Sequence, residues 1–260
     1  PMRQFSAEYL RETRRGMWAD SREALDPLEL DACERILDVG CGEGALTRVL
    51  REESDAEVVG CDRDADLLAE LDGPAVRGDA YSLPFPDDSF DLVTCQALLI
   101  NLPDPERALR EFARVSGWRV AAIEPDNSAV SVASTVDAEG ELARRARRRY
   151  LSGVETDVTL GADTADLFES VGLSNVTTTR YDQTLVVEPP YSDRDVREVG
   201  RKASGSGLRQ RRETMAGSEA ELDALRSEWR EMGREAVRQV QNEEYRRRET
   251  VPFYVVVGSV

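Results

Sequence analysis

The sequence predicts an α/β fold: a doubly wound, mostly parallel sheet of seven strands, with additional helical segments as a cap and an insertion. Three observations carry this. Short apolar runs alternate with amphipathic helical patterns between residues 34 and 127. The first run, Arg35-Ile36-Leu37, enters Asp38-Val39-Gly40-Cys41-Gly42-Glu43-Gly44 and then Ala45-Leu46-Thr47-Arg48-Val49-Leu50, in the order strand, glycine turn, helix. Acidic residues recur where successive strands end.

In chain order, residues 1–30 read as an N-terminal helical cap, with Phe5, Tyr9, Leu10, Met17, Trp18, Leu25, Leu28 and Leu30 as its apolar set. Strands are expected at 35–39, 57–61, 76–78, 90–95 and 119–123. Asp64 to Leu71 reads as a helix with Leu67, Leu68 and Leu71 inward. Pro105 opens the next helix, because its missing N–H is unneeded in a first turn, and Leu109, Phe112 and Ala113 face the sheet. Residues 137–150 form an amphipathic helix with acids early and arginines late, as the helix dipole favours. A helix at 162–172 follows, and the alternating stretch 176–187 is a sixth strand that Pro189-Pro190 ends.

The segment 191–250 carries no strand signal and reads as a helical insertion or lid. Ser218 and Glu221 have capping-box spacing, and Leu222, Leu225, Trp229, Met232, Ala236 and Val240 give a long helix at 219–249 one apolar face. That face caps a ligand site or pairs with a second copy as a homodimer. Residues 251–260 are a final core strand, so the core is 31–190 plus this strand.

The net charge is −17 over 260 residues, and Lys202 is the sole lysine. Such an acid-rich, lysine-poor surface suits a high-salt, halophilic cytoplasm, where screening shortens self-repulsion. It excludes bulk binding to nucleic acid, which needs a basic footprint. The arginine-rich runs at 144–149 and 209–212 read as salt-bridged helix faces. No apolar run reaches the roughly 18 residues of a membrane span, and Pro1-Met2-Arg3-Gln4-Phe5 lacks a signal segment, so a soluble cytoplasmic protein is expected. Cys33, Cys41, Cys61 and Cys95 have no metal-type spacing, and no metal is expected.

The glycine turn lets backbone approach a ligand. Gly40, Gly42 and Ala45 fit the dinucleotide fingerprint. Asp38, two residues before the first glycine, would repel a pyrophosphate and attract an ammonium group. Asp62 ends the second strand at the spacing of an acid that accepts ribose hydroxyls, and Asp79 follows the third. Three such acids suit a cationic adenosyl ligand, S-adenosylmethionine (SAM), better than NAD.

The chain resembles class I SAM-dependent methyltransferases, of the small-molecule group related to ubiquinone and menaquinone C-methyltransferases. The resemblance runs from Arg35 to about Asn127. It rests on Ile36 to Gly44, Asp62, Gly78-Asp79-Ala80, Leu83-Pro84-Phe85-Pro86-Asp87-Asp88-Ser89-Phe90-Asp91-Leu92-Val93, and Leu102-Pro103-Asp104-Pro105-Glu106-Arg107-Ala108-Leu109 with Glu111 to Val115. It implies a Rossmann-like sheet whose last strand enters antiparallel between the fifth and sixth. It implies that Gly40, Cys41, Gly42 and Gly44, with Asp38, cradle the methionine part of SAM. Asp62 would bind ribose, Asp79 and Ala80 would lie beside adenine, and Cys95 and Gln96 would sit near the transferring methyl. The implied partner is a small or medium organic methyl acceptor. Two departures stand out: there is no histidine near Ile100-Asn101, and Val115-Ser116-Gly117-Trp118 replaces a Pro-Gly-Gly turn.

Methyl transfer is an in-line displacement that depends largely on positioning and water exclusion. Where the acceptor must lose a proton, a base is needed. Without histidine the candidates are Glu124 and Asp126, after the fifth strand, then Tyr81, Tyr150, Tyr181 and Tyr245. Pro125-Asp126-Asn127 also has ordinary turn chemistry. Gln96 and Asn101 are candidates for orienting the acceptor. Two other functions remain open on the sequence: an NAD-dependent oxidoreductase, and a SAM-binding sensor without turnover.

Overall fold

The computed structural model describes residues 17, 18 and 22–260. The chain forms two compact units. The first holds the described residues up to Asp126, with Thr156–Tyr181 and Pro252–Val260; the second holds Asn127–Glu155 and Asp182–Val251.

The first unit is built on β1 (Arg35–Val39), β2 (Glu57–Asp62), β3 (Ala75–Arg77), β4 (Phe90–Gln96) and β5 (Ser116–Pro125), in the spatial order β3-β2-β1-β4-β5 and parallel throughout. The registers Asp38↔Gly60, Asp38↔Thr94 and Cys95↔Ala122 bring the carboxyl ends of β1, β2, β4 and β5 to one rim. The central strands are buried on both faces: Ile36, Leu37, Leu92, Val93, Val120 and Ile123 are all inaccessible. This is why they read as continuous apolar runs rather than as alternation. Helices α1 (Ala45–Glu53), α2 (Ala65–Leu68) and α3 (Pro105–Val115) connect them. The Asp104 side chain caps α3 by accepting from Arg107 N–H at 3.0 Å, and Pro105 sits at its first position as expected. At the Val115-Ser116 junction α3 runs directly into β5.

Strand β8 (Arg247–Ser259) pairs antiparallel with β5 through Val120↔Gly258 and Ile123↔Val255. It lies between β5 and β7 (Ser174–Val187), as the resemblance implied.

The seven expected strands are present, and among the described residues a short further strand, β6 (Ser131–Ser134), pairs with residues 247–250 of β8. Four half-exposed residues are too few to give a readable pattern. The long helix, expected at 219–249, is Glu219–Gln241. Glu243 then adopts a left-handed φ of 58°, and β6 supplies partners that make the next residues strand, so the last strand starts at Arg247 rather than 251. In the described part of the N-terminal segment, Arg22–Leu28 and Leu30–Ala32 are helical, of the 3-10 kind, separated by Glu29 at φ 51°. Phe5, Tyr9 and Leu10 lie outside the described residues.

The second unit contains β6 with the start of β8, α4 (Glu139–Leu151), α6 (Asp193–Ser204), α7 (Ser206–Gln210) and α8 (Glu219–Gln241); α5 (Thr164–Ser170) belongs to the first. Both α6 and α8 begin with full capping boxes, at Ser192/Asp195 and Ser218/Glu221. A Cβ at Gly233 of α8 would collide with the Lys202-Ala203 backbone, so this glycine permits close approach to α6. Leu222, Leu225, Met232 and Ala236, the face offered for capping or pairing, are buried within this unit's own core.

One buried carboxylate ties this unit together. Glu139 is 1 % exposed and accepts from Ser134 Oγ at 2.6 Å, Tyr245 OH at 2.8 Å, Arg247 Nε at 3.1 Å and Lys202 Nζ. Burial opposes its charge, yet Lys202, Ser134 and Arg247 outweigh this and hold its carboxyl below the usual carboxylate range. The Tyr245 hydroxyl is driven upward by burial and then by Glu139.

Candidate functional site

The glycine turn leaves β1 with Gly40, Gly42 and Gly44 at φ 69°, 56° and 84°, all left-handed. Only glycine takes these values without steric cost. Neighbours also close in on the turn. A Cβ at Gly40 would stand 2.8 Å from Leu98 Cδ1, one at Gly44 would collide with Leu71, and one at Gly60 would stand 2.5 Å from Leu71 Cδ2. Leu71 therefore bolts across Gly44 and Gly60, while Leu98 packs on Gly40. Gly44 N-caps α1 with no side-chain cap, leaving the helix N-terminus facing the turn.

Acids surround this turn. Asp62 Oδ2 accepts the Gly42 N–H at 2.9 Å, and its Oδ1 accepts the Asp64 N–H at 2.9 Å. Asp38 is 1 % exposed, and its Oδ2 accepts from Thr47 Oγ1 on α1 at 2.6 Å. Asp79 Oδ1 accepts the Tyr81 N–H at 2.9 Å, bending the chain just past β3 at Asp79-Ala80. The neighbouring thiols register the combined field. Cys61 is pushed up to about 12 by burial and then by Asp62, Asp38 and Asp79. Cys41 is raised further, again by burial and then by Asp38 and Asp62. Three of the sequence-derived acids thus share one neighbourhood whose potential favours a cation.

At the ends of β4 and β5 the candidate residues are buried and engaged with protein partners. Cys95 is inaccessible, and its thiol is raised by burial and by Glu124. Gln96 is 2 % exposed; it donates to Met17 Sδ, and its Oε1 accepts from Trp18 Nε1 at 3.4 Å. Trp18 stacks on Tyr181 with centroids 6.0 Å apart, and the Tyr181 hydroxyl donates to the Met17 carbonyl at 2.6 Å. Residues 17 and 18 therefore lie directly on the β4 end.

Glu124 is inaccessible, and its carboxylate accepts from the N–H groups of Leu98 at 3.0 Å, Leu99 at 2.8 Å and Ile100 at 3.4 Å. Asp126 is half-buried just beyond β5, with its N–H donating to the Pro252 carbonyl at 2.9 Å. Asn101 Nδ2 donates to the Ala97 carbonyl at 2.8 Å, and its buried Oδ1 has no hydrogen-bond partner among the described residues. Of the tyrosines, Tyr81 accepts the Asp104 N–H through its hydroxyl, while Tyr150 and Tyr245 belong to the second unit. Among the described residues no cluster could hold a metal ion, and no helix is long and apolar enough to cross a membrane.

The sequence reading does not identify Thr47 or Leu98, and it takes Leu71 only as an inward residue, not as the neighbour of Gly44 and Gly60. Thr47 was detectable in principle, as a polar residue on the inward face of α1. Leu71 and Leu98 carry no chemical signal beyond being apolar.

Residues 37–118 match the family described as Methyltransferase domain. A demethylmenaquinone methyltransferase of Corynebacterium kroppenstedtii is 36 % identical over 124 residues, 46 % of this chain and 52 % of that protein. One of Thermus thermophilus is 41 % identical over 115 residues, 40 % of this chain and 52 % of that protein. The chain thus spans about half the length of the curated relatives it matches. Among solved structures, a SAM-dependent methyltransferase from Archaeoglobus fulgidus superposes with a TM-score of 0.53 at 14 % identity, covering 98 % of this chain and 100 % of that one. That likeness is one of fold. The matched residues 37–118 contain the glycine turn, Asp38, Asp62 and Asp79.

Proposed function

We propose that the protein is a SAM-dependent methyltransferase acting on a small or medium organic acceptor. The observation that carries this reading is the hydrogen bond from the Gly42 N–H to Asp62, at a glycine turn that follows the buried Asp38 inside the matched segment. The residues present fit the ligand. Left-handed glycines with no room for a Cβ form a close cradle, and a donor set rich in carboxylates suits an ammonium, a ribose and a positively charged sulfur. SAM, when bound, supplies a methyl group on sulfur.

The chain's own residues would then divide the work. Gly40, Cys41, Gly42 and Gly44 give backbone to the methionine part, and Asp38 attracts its ammonium. Asp62 has lone pairs beyond its two amide partners to take ribose hydroxyls. Asp79 and Ala80 flank the adenine. Cys95 and Gln96 line the methyl side, where Met17 and Trp18 exclude water from the Gln96 end. Asp126 is the better candidate for accepting an acceptor proton. The relatives named for demethylmenaquinone make a naphthoquinol ring the first acceptor class to try. The acidic, lysine-poor composition supports a high-salt cytoplasm as the working environment.

The test is calorimetric titration in high KCl with SAM, S-adenosylhomocysteine, NAD and NADP. Micromolar binding of the two adenosyl ligands alone is expected. Binding of NAD, or of nothing by folded protein, would overturn the reading.

A further inference from the structure

We infer that Glu124 is a positioning residue, whose buried carboxylate holds the turn after β4 and through it the wall of the glycine cradle. This rests on the SAM-site reading above.

The turn needs such a holder. Ala97 leaves β4 at a left-handed φ of 48°, and its N–H still reaches the Ile123 carbonyl of β5 at 2.9 Å. The chain then curls into a 3-10 turn at Leu99–Asn101. This conformation points three successive amides, those of Leu98, Leu99 and Ile100, toward the end of β5. Their N–H groups would be orphaned there without an acceptor. Glu124 supplies both oxygens: Oε1 takes Leu98 and Leu99, and Oε2 takes Ile100. The Cys95 thiol also donates to Oε1, at 3.8 Å. A side chain so engaged, at 0 % exposure, holds backbone rather than taking a proton from an acceptor.

One consequence reaches the cradle. Leu98, anchored by its own amide, lies against Gly40, where a Cβ would stand 2.8 Å from its Cδ1. Glu124 therefore acts on the glycine cradle through Leu98.

The experiment compares wild type, Glu124→Gln, Glu124→Ala and Leu98→Ala by residue-resolved amide hydrogen exchange and by S-adenosylhomocysteine titration. In Glu124→Gln the remaining oxygen should keep Leu98 and Leu99 protected while Ile100 exchanges faster, with affinity within a few-fold of wild type. Glu124→Ala should lose protection at all three amides and weaken binding on the order of tenfold or more. Leu98→Ala should weaken binding with the amides still protected. Wild-type protection and affinity in Glu124→Ala would overturn the inference. If Glu124→Ala fails to fold, unchanged affinity in Leu98→Ala together with unchanged Ile100 exchange in Glu124→Gln would do the same. If wild type itself binds no S-adenosylhomocysteine, the methyltransferase reading fails, and the exchange pattern of Glu124→Gln still decides the role in the turn.

Discussion

Asp62 Oδ2 accepts the Gly42 N–H at 2.9 Å, so the acid at the end of β2 and the centre of the glycine turn are one hydrogen-bonded unit. The residue proposed to bind ribose also fixes the backbone proposed to bind methionine. Asp62→Ala removes both contributions. Affinity for S-adenosylhomocysteine should fall on the order of tenfold to a hundredfold, as expected for losing hydrogen bonds to a charged group. Calorimetry beside a thermal melt checks it, and undiminished affinity would remove Asp62 from the site.

Gly44→Ala meets two obstacles, a φ of 84° and the Leu71 side chain. The backbone conformation alone costs about 1–2 kcal/mol for an L-residue. Urea unfolding should show at least that loss, and ligand affinity should fall with it. The double variant with Leu71→Ala should recover part of the steric share but none of the backbone share.

The Glu139 network predicts an acid-sensitive second unit. Its carboxyl is held below the ordinary range in the folded chain, so its ionised form stabilises the fold at neutral pH. That contribution is lost as pH falls below about 4.3, through the lowered folded value. Glu139→Gln leaves Lys202 and Arg247 facing a neutral group and should cost about 3–5 kcal/mol at pH 7. The gap from wild type should shrink toward pH 3, when wild type is protonated too. Denaturant melts across pH measure this; a gap independent of pH would refute the assignment.

All four cysteines are buried free thiols. Cys33 is pushed up to about 11 and Cys61 to about 12, each by burial first. Thiolate is the reactive form, so the native protein should resist a thiol-specific dye at pH 8. Unfolded protein should label at once. Rapid native labelling would mean that the site opens far more readily than its packing suggests.

The parts legible in the sequence were those where chemistry restricts the residue. Left-handed turns favour glycine, so Gly40, Gly42 and Gly44 stand out; Pro105 and the Ser218/Glu221 box mark helix starts for similar reasons. Asp38, Asp62 and Asp79 are legible as acids at or just past strand ends, which is where the strands place them. The role of Glu124 was not legible, because it depends on three amides brought together by a turn that no residue in 97–101 announces. The contacts of Gln96 with Met17 and Trp18 are not legible either, because those residues lie almost eighty positions away along the chain. Strand β6 is not legible because its pairing partner, residues 247–250, is polar, with two arginines and one glutamate.

Lys202 donates its ammonium to Glu139 and Tyr245 inside the second unit and is the chain's only lysine. A lysine-specific endoprotease therefore has a single cleavage site, closed while those bonds hold. Its rate of cutting would report the opening of α6 directly, turning an unusual composition into an intrinsic probe of local unfolding.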